Sequence, residues 1–265
     1  MNTGEILSRL AHGEAGGISV LVIAAHPDDE TIGLGALLQR LPRATVLHVT
    51  DGAPRDGRDV ALHGFASVAA YADARRAEAL AALAIAGIPE DRALTLGIPD
   101  QEAALHMVPV AHRIAEALRK AKPELVVTHA YEGGHPDHDA VAFAVRAALQ
   151  MAGVRPFAEM TGYHAGPQGI EVGRFLPPED EAIAFPLTPE SAAAKQRMVD
   201  CFATQRAVLA AFPIADELLR PAPPADFTQP PHPGRLFHEH FAWGMDGTRF
   251  RILAAAARDG LGLPR

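Results

Sequence analysis

Two short segments stand out for the side chains they bring together. His26-Pro27-Asp28-Asp29-Glu30 offers one imidazole and three carboxylates, and His135-Pro136-Asp137-His138 offers two imidazoles and a carboxylate. Imidazole nitrogen and carboxylate oxygen are both good ligands for Zn²⁺, and a catalytic site uses three protein ligands and keeps a position for water. His26 and Asp29 are three residues apart, as are His135 and His138. In a tight turn or a first helical turn, residues at that spacing point the same way. The prolines preset the local backbone and lower the entropy cost of holding each pair. An isolated HxxH is most often an ordinary surface or core feature. The two clusters carry more weight together, because each follows a buried strand.

The elements that must position them are legible in outline. Ile18 to Ala25 is a nearly continuous apolar run rich in β-branched residues, as expected of a strand buried on both faces of a parallel sheet. Ala44 to Thr50, Ala93 to Leu96 and Glu124 to His129 repeat the theme. Helical patterns lie between and after them, roughly Thr31 to Leu41, Ser67 to Ala86, Gln101 to Ala121 and Asp137 to Met151. Gly87 stands where a C-terminal cap is expected, and Pro123 closes the next helix. This alternation predicts an α/β fold: a Rossmann-like, doubly wound, mostly parallel sheet with helices on both faces. Further along, the sequence predicts short strands at Glu159 to Tyr163 and Glu181 to Phe185, then a helix from Pro189 to Ala211. The proline-dense stretch from Arg220 to Pro233 reads as an extended surface loop. The expectation is one domain over 1–265, with a core at about 18–212 and a C-terminal extension at 213–265. In open parallel sheets ligands bind beyond the carboxyl ends of the strands, and both clusters fall there.

The run Ala25-His26-Pro27-Asp28-Asp29-Glu30, followed by Gly33 and paired with His135-Pro136-Asp137-His138, resembles the LmbE/PIG-L family of zinc-dependent N-deacetylases, which act on N-acetylglucosaminyl and related N-acyl sugars. The resemblance covers about residues 18–205. Weaker echoes are Thr50-Asp51-Gly52, Arg75-x-x-Glu78 and Gly97-Ile98-Pro99-Asp100. It implies one Zn²⁺ per chain, or another divalent metal, held by His26, Asp29 and His138. It makes Asp28 the general base and His135 the group that stabilises the tetrahedral intermediate, with Asp137 orienting His135 so that it stays protonated. Arg75 and Asp100 fall near positions that hold substrate, with Arg76 as a substitute for Arg75. Ala36 stands where the family often has a second glycine, and Cys201-Phe202-Ala203-Thr204-Gln205 lacks the histidine that often precedes its Ser-Gln or Thr-Gln, which points to a different substrate rim.

Bulk composition narrows the partners. The 265 residues carry a formal net charge of −8, which argues against nucleic-acid binding and against docking on an anionic membrane. The longest apolar run is too short to span a bilayer, and the N-terminal residues lack the basic start and apolar stretch of a secretory signal. The expected partner is therefore a small-molecule N-acyl sugar or conjugate, and the expected location cytoplasmic. The lone Cys201 forms no intrachain disulfide. Gly33-x-Gly35 lacks the third glycine and the strand-to-helix position of a dinucleotide fingerprint. His48 reads as a core histidine, His238-Glu239-His240 as an ordinary strand or loop, and His129 and Tyr131 as residues that line a pocket or pack a loop. Two other readings remain for the paired clusters: an ester or phosphoester hydrolase, and a binding module with a structural metal. A two-metal phosphoesterase needs more bridging carboxylates, and a structural site closes with four ligands, usually cysteine-rich.

Overall fold

A computed structural model describes residues 1–153, 156–177 and 181–264. In chain order the elements are α1 (Thr3–Ala11), β1 (Val20–Ala24), α2 (Asp29–Leu38), β2 (Thr45–Pro54), α3 (Arg58–His63), α4 (Val68–Ile85), β3 (Ala93–Asp100), α5 (Met107–Ala121), β4 (Leu125–His129) and α6 (Pro136–Ala152). There follow β5 (Phe157–Met160), β6 (Tyr163–Gly166), β7 (Gly169–Val172), β8 (Ile183–Phe185), α7 (Pro189–Asp200), α8 (Arg206–Leu209), β9 (Glu217–Pro221) and α9 (Gly247–Gly260). Among the described residues, the main sheet has the order β3-β2-β1-β4-β5-β9-β8. The first five of these strands are parallel, while β9 runs antiparallel to β5 and β8. This is the doubly wound α/β architecture that the alternating pattern predicts.

The alternation of side chains along β1 shows why both faces are covered. Val20, Val22 and Ala24 enter one apolar cluster with α1, α2, α4 and α7, while Leu21, Ile23 and Ala25 enter another with α5 and α6. Helix α9 brings Phe250, Ala254 and Ala257 into the second cluster, so the C-terminal segment helps to build the core. β1 lies between β2 and β4. The chain winds outward from β1 through β2 to β3, then crosses back to place β4 on the other side. The carboxyl ends of β1 and β4 therefore flank the point where the winding reverses, where a crevice opens. HPDDE follows β1, and HPDH follows β4.

Three sequence expectations differ from the structure, each because of a long-range contact. The helix expected from Gln101 begins at Met107. Asp137 accepts the backbone N–H groups of Gln101 (2.7 Å) and Ala103 (3.0 Å) and draws that segment into a turn. The helix expected over 189–211 ends at Asp200, because Glu78 of α4 captures the Thr204 N–H at 2.9 Å and its hydroxyl at 2.6 Å. The loop expected from Arg220 starts two residues later, since β9 inserts between β5 and β8 and runs to Pro221.

Helix α2, which carries the first cluster, is fixed from behind by a buried ion pair. The Glu217 carboxylate accepts the Ala36 and Leu37 N–H groups (2.7 and 2.8 Å) and the Lys195 ammonium (2.8 Å), while Lys195 also donates to the Ile32 carbonyl at 2.7 Å. A Cβ at Gly33 would stand 2.7 Å from Met160 Sδ, so this glycine lets α2 lie close against β5. Packing therefore accounts for Gly33, with no nucleotide needed. Removing one member of a buried pair leaves an uncompensated charge. Lys195→Met is expected to lower unfolding free energy by about 3–5 kcal/mol. Lys195→Met with Glu217→Gln should lose less, because a neutral amide oxygen still accepts from α2. Urea melts of the two variants check this.

Candidate metal centre and active site

β1 ends at a closely held turn. The Ala25 N–H donates to His129 Nε2 (2.9 Å), and the Ala25 carbonyl accepts from Thr50 N (2.8 Å) and Thr50 Oγ1 (2.9 Å). Three residues on, Asp28 has φ 144°, a conformation that costs an L residue on the order of 1–3 kcal/mol. Its carbonyl starts α2 by accepting the Thr31 and Ile32 N–H groups, both at 2.9 Å. The second cluster opens α6: His135 is the N-cap with extended backbone, and Pro136 fills the first helical position. Asp139 Oδ1 holds the preceding loop by accepting Glu132 N and Gly133 N, each at 3.1 Å. Gly134 has no room for a side chain, since a Cβ there would fall 1.9 Å from the Tyr163 carbonyl oxygen.

The two turns bring three side chains together as a triangle, with both Asp29 oxygens taking part. His26 Nδ1 lies 3.2 Å from Asp29 Oδ2 and 3.3 Å from His138 Nε2, and His138 Nε2 lies 3.2 Å from Asp29 Oδ1. An ion about 2.0–2.1 Å from three tetrahedral ligands would space them by roughly 3.3 Å. The donor set and spacing therefore fit zinc. Three other groupings in this crevice are close enough to hold a metal: His26, His135 and His138; Asp29, His129 and His138; and His26, Asp100 and Asp137. His129 fits this use less well, because its Nε2 already accepts the Ala25 N–H. It stacks on His138 instead, with ring centroids 4.1 Å apart.

The surroundings of the triangle reassign two carboxylates. Asp137, expected to orient His135, instead places Oδ2 3.3 Å from His26 Nε2, with its other contacts on the 101–103 turn. Its only tie to His135 is through the backbone, where the Asp137 N–H donates to His135 Nδ1 at 3.1 Å. Asp100, expected on the substrate, also faces His26 Nε2, at 3.1 Å. Both thus orient a candidate ligand from behind, as carboxylates commonly do for metal-bound histidine. The protonated His135 is corrected as well. Burial and the neighbouring His26 hold its pKa well below the usual range, so the ring is neutral with Nε2 as its free nitrogen. Burial works against a charged His26, yet Asp100 and Asp29 raise its pKa well above normal. Burial penalises the Asp29 carboxylate, but His138, His129 and His26 more than offset this and keep it ionised.

Asp28 is held differently. Burial raises its carboxyl to about 6 against the opposing pull of Arg75, close to the range that suits a general base. Arg75 is buried and donates from Nη2 to Asp28 Oδ2 (3.1 Å) and from Nε to the Gly52 carbonyl (3.2 Å). Its Nη1 is buried without a hydrogen-bond partner and lies 3.9 Å from Glu78 Oε2, while other atoms of the residue border the cleft. Arg76 is directed away from the crevice, onto the Ala93 carbonyl.

Over these groups lies a cleft of about 260 Å³. One wall carries Asp56, Arg58 and Asp59 from the segment after β2; the other is apolar, with Tyr163, Leu209, Phe212 and Trp243. The sequence offers Trp243 as one residue of a substrate wall, but Tyr163, Leu209 and Phe212 come from distant segments with no shared motif. Of the arginines after β2, Arg58 borders the cleft while Arg55 pairs with Asp51 at 2.6 Å. Tyr131 points away, its hydroxyl donating to the Gln229 carbonyl at 2.8 Å. The proline-rich segment lines a separate cavity beside Tyr131 and Arg146. His238 is buried in a short 3-10 turn, and it joins no metal-sized cluster among the described residues.

Residues 21–149 match the PIG-L family, described as GlcNAc-PI de-N-acetylase. Two curated relatives are 1D-myo-inositol 2-acetamido-2-deoxy-alpha-D-glucopyranoside deacetylases. The one from Catenulispora acidiphila is 34% identical over 51% of this chain and 52% of its own. That from Kineococcus radiotolerans is 32% identical over 50% and 45%. The chain thus spans about half the length of these relatives. A solved triple mutant of a deacetylase of teicoplanin biosynthesis shares the fold, with a TM-score of 0.63 at 23% identity over 78% of this chain and 99% of that one. So does the 4-carboxy-2-hydroxymuconate hydratase of Pseudomonas putida, with a TM-score of 0.54 at 18% identity over 79% and 98%.

The tight seat of Gly134 generates a prediction. Gly134→Ala must push the Tyr163 backbone away from the loop before His135, an overpacking expected to cost about 1–3 kcal/mol. A lowered urea midpoint with unchanged slope is the expected result.

Proposed function

We propose that this chain is a zinc-dependent hydrolase that removes an acetyl or similar acyl group from the amide nitrogen of an N-acetylglucosamine-type sugar. The observation that carries the reading is the triangle of His26 Nδ1, Asp29 and His138 Nε2, with the non-ligand carboxyl of Asp28 bordering the same cleft. The reaction named for the two curated relatives supports the choice of an amide on an amino sugar. His26, Asp29 and His138 would hold the ion; bound there, it supplies Lewis acidity that polarises a carbonyl and acidifies water at neutral pH.

The chain's own side chains do the rest. Asp28, with its carboxyl near 6, takes the proton of the attacking water and later delivers it to the leaving nitrogen. A carbon–oxygen bond forms, the carbon–nitrogen bond breaks, and the products are the carboxylic acid and the amine. His135, neutral with Nδ1 engaged by its own helix, donates from Nε2 to the oxygen on which negative charge develops. Arg75 keeps the Asp28 carboxylate aimed. Asp100 and Asp137 accept from His26 Nε2 and thereby fix which nitrogen faces the metal position.

Purified protein is expected to contain close to one zinc per chain by elemental analysis and to release acetate from N-acetylglucosamine or its simple glycosides. Dialysis against a chelator should abolish turnover, and added zinc should restore it. Asp28→Ala should retain the metal and lose on the order of 10²-fold or more in kcat. An Asp28→Ala variant that hydrolyses as fast as the parent would remove Asp28 from the role of base. A fourth protein ligand closing the site in a metal-bound crystal structure would favour a structural metal instead.

A further inference from the structure

We propose that His48 and Glu30 form a positioning pair that holds the backbone of Asp28 in its strained conformation and so sets the aim of the base. The proposal rests on the reading of Asp28 given above.

Glu30 closes the HPDDE motif but is no metal ligand in this arrangement. It is 0% exposed, and both carboxylate oxygens are engaged. Oε1 accepts the Thr31 hydroxyl at 2.9 Å, while Oε2 accepts both the Asp28 N–H at 3.2 Å and His48 Nε2 at 2.8 Å. His48 lies in the interior of the sheet, where its backbone pairs with Ala24 of β1 and Thr95 of β3. It is 1% exposed and borders no part of the cleft. A side chain anchored in β2 thus reaches the turn after β1 through one carboxylate.

The turn needs such a tie. Asp28 has φ 144° and ψ −26°, and a residue in a sparsely populated conformation stays there only where its surroundings over-determine it. The Asp28 carbonyl is tied to α2 and its carboxylate to Arg75, but these contacts leave the N–H side open. Glu30 closes that side. Without His48, Oε2 would keep only the longer bond from Asp28, and Glu30 would lose its anchor in β2, leaving a buried carboxylate under-satisfied. Misplacing a reacting group by about 1 Å costs up to about 10²-fold in rate, so a buried pair with no contact to substrate acts on catalysis through Asp28.

The test is a double-mutant cycle on the full-length, zinc-loaded chain, with release of acetate from N-acetylglucosamine as the assay. His48→Leu is expected to lower kcat by about 10- to 100-fold, with KM changed less than about 2-fold and zinc content unchanged. His48→Gln, which keeps a donor, should recover part of the loss. In the Asp28→Ala background, His48→Leu should produce no further fall, because a positioning residue has nothing left to position. An equal fall in both backgrounds, or full kcat in folded His48→Leu, overturns the proposal. A crystal structure of Glu30→Gln or His48→Leu supplies a readout apart from rate: Asp28 is expected to leave positive φ, and an unchanged Asp28 backbone overturns the proposal. Failure of the parent chain to deacetylate any N-acetyl sugar would instead fall on the functional reading, with Asp28 geometry still reporting on the pair.

Discussion

Four carboxylates, those of Asp28, Asp29, Asp100 and Asp137, lie together at a crevice where water is scarce, and Arg75 is the permanent cation among them. Such a gathering is costly unless each charge is paired or receives hydrogen bonds. Asp137 receives two backbone N–H groups, and Asp28 receives Arg75. Asp29 receives the His26 N–H and faces three imidazoles. His26, whose pKa Asp100 and Asp29 raise, and Arg75 offset part of this charge, and the carboxylates still outnumber them. A divalent cation at the His26–Asp29–His138 triangle is the natural counter-charge. The need to neutralise this cluster connects the turn after β1, the start of α6 and the displaced beginning of α5.

Precision at the crevice depends on parts of the molecule far from it. α2 begins at Asp29, so any slide of that helix moves a candidate ligand. The helix is held by the Glu217–Lys195 pair, which comes from β9 and α7, and by close contact of Gly33 with Met160. Residues after 212, outside the core expected from sequence, therefore help to fix the site: Glu217 acts through α2, and Trp243 lies 4.6 Å from His135, ring centre to ring centre.

The fold and the two clusters were legible because each rests on a local signal. Buried parallel strands read as short apolar runs, and HPDDE and HPDH are compact enough to be seen without knowing their neighbours. What was not legible depends on pairings across the chain. The partner of Asp137 is His26, 111 residues away, and no spacing rule distinguishes it from His135 two residues away. The late helix breaks because Glu78, 126 residues earlier, offers Thr204 a better partner than the helix does. The hairpin of β6 and β7 is glycine-rich at its turn and carries no apolar alternation, so it left no pattern to find. His48 looked like a core histidine and is one; its link to Glu30 appears only when β1 and β2 are laid side by side.

The neutrality of His135 bears on how the chemistry is divided. An imidazolium there would add positive charge beside His26 and His138, within ring distances of 4.5 and 5.3 Å, in a pocket with little water to screen it. A neutral ring avoids that repulsion and still presents an N–H at Nε2, because the Asp137 N–H holds Nδ1 as the acceptor. A neutral donor binds a developing oxyanion less strongly than an imidazolium, but it need not first be protonated. In that division His135 supplies a hydrogen bond while the transferable proton stays with Asp28, whose carboxyl lies near 6. The fold sets none of this, since the same doubly wound sheet also carries a hydratase. The choice is made by which nitrogen each histidine turns toward the crevice, and a backbone N–H or a carboxylate behind each ring decides that.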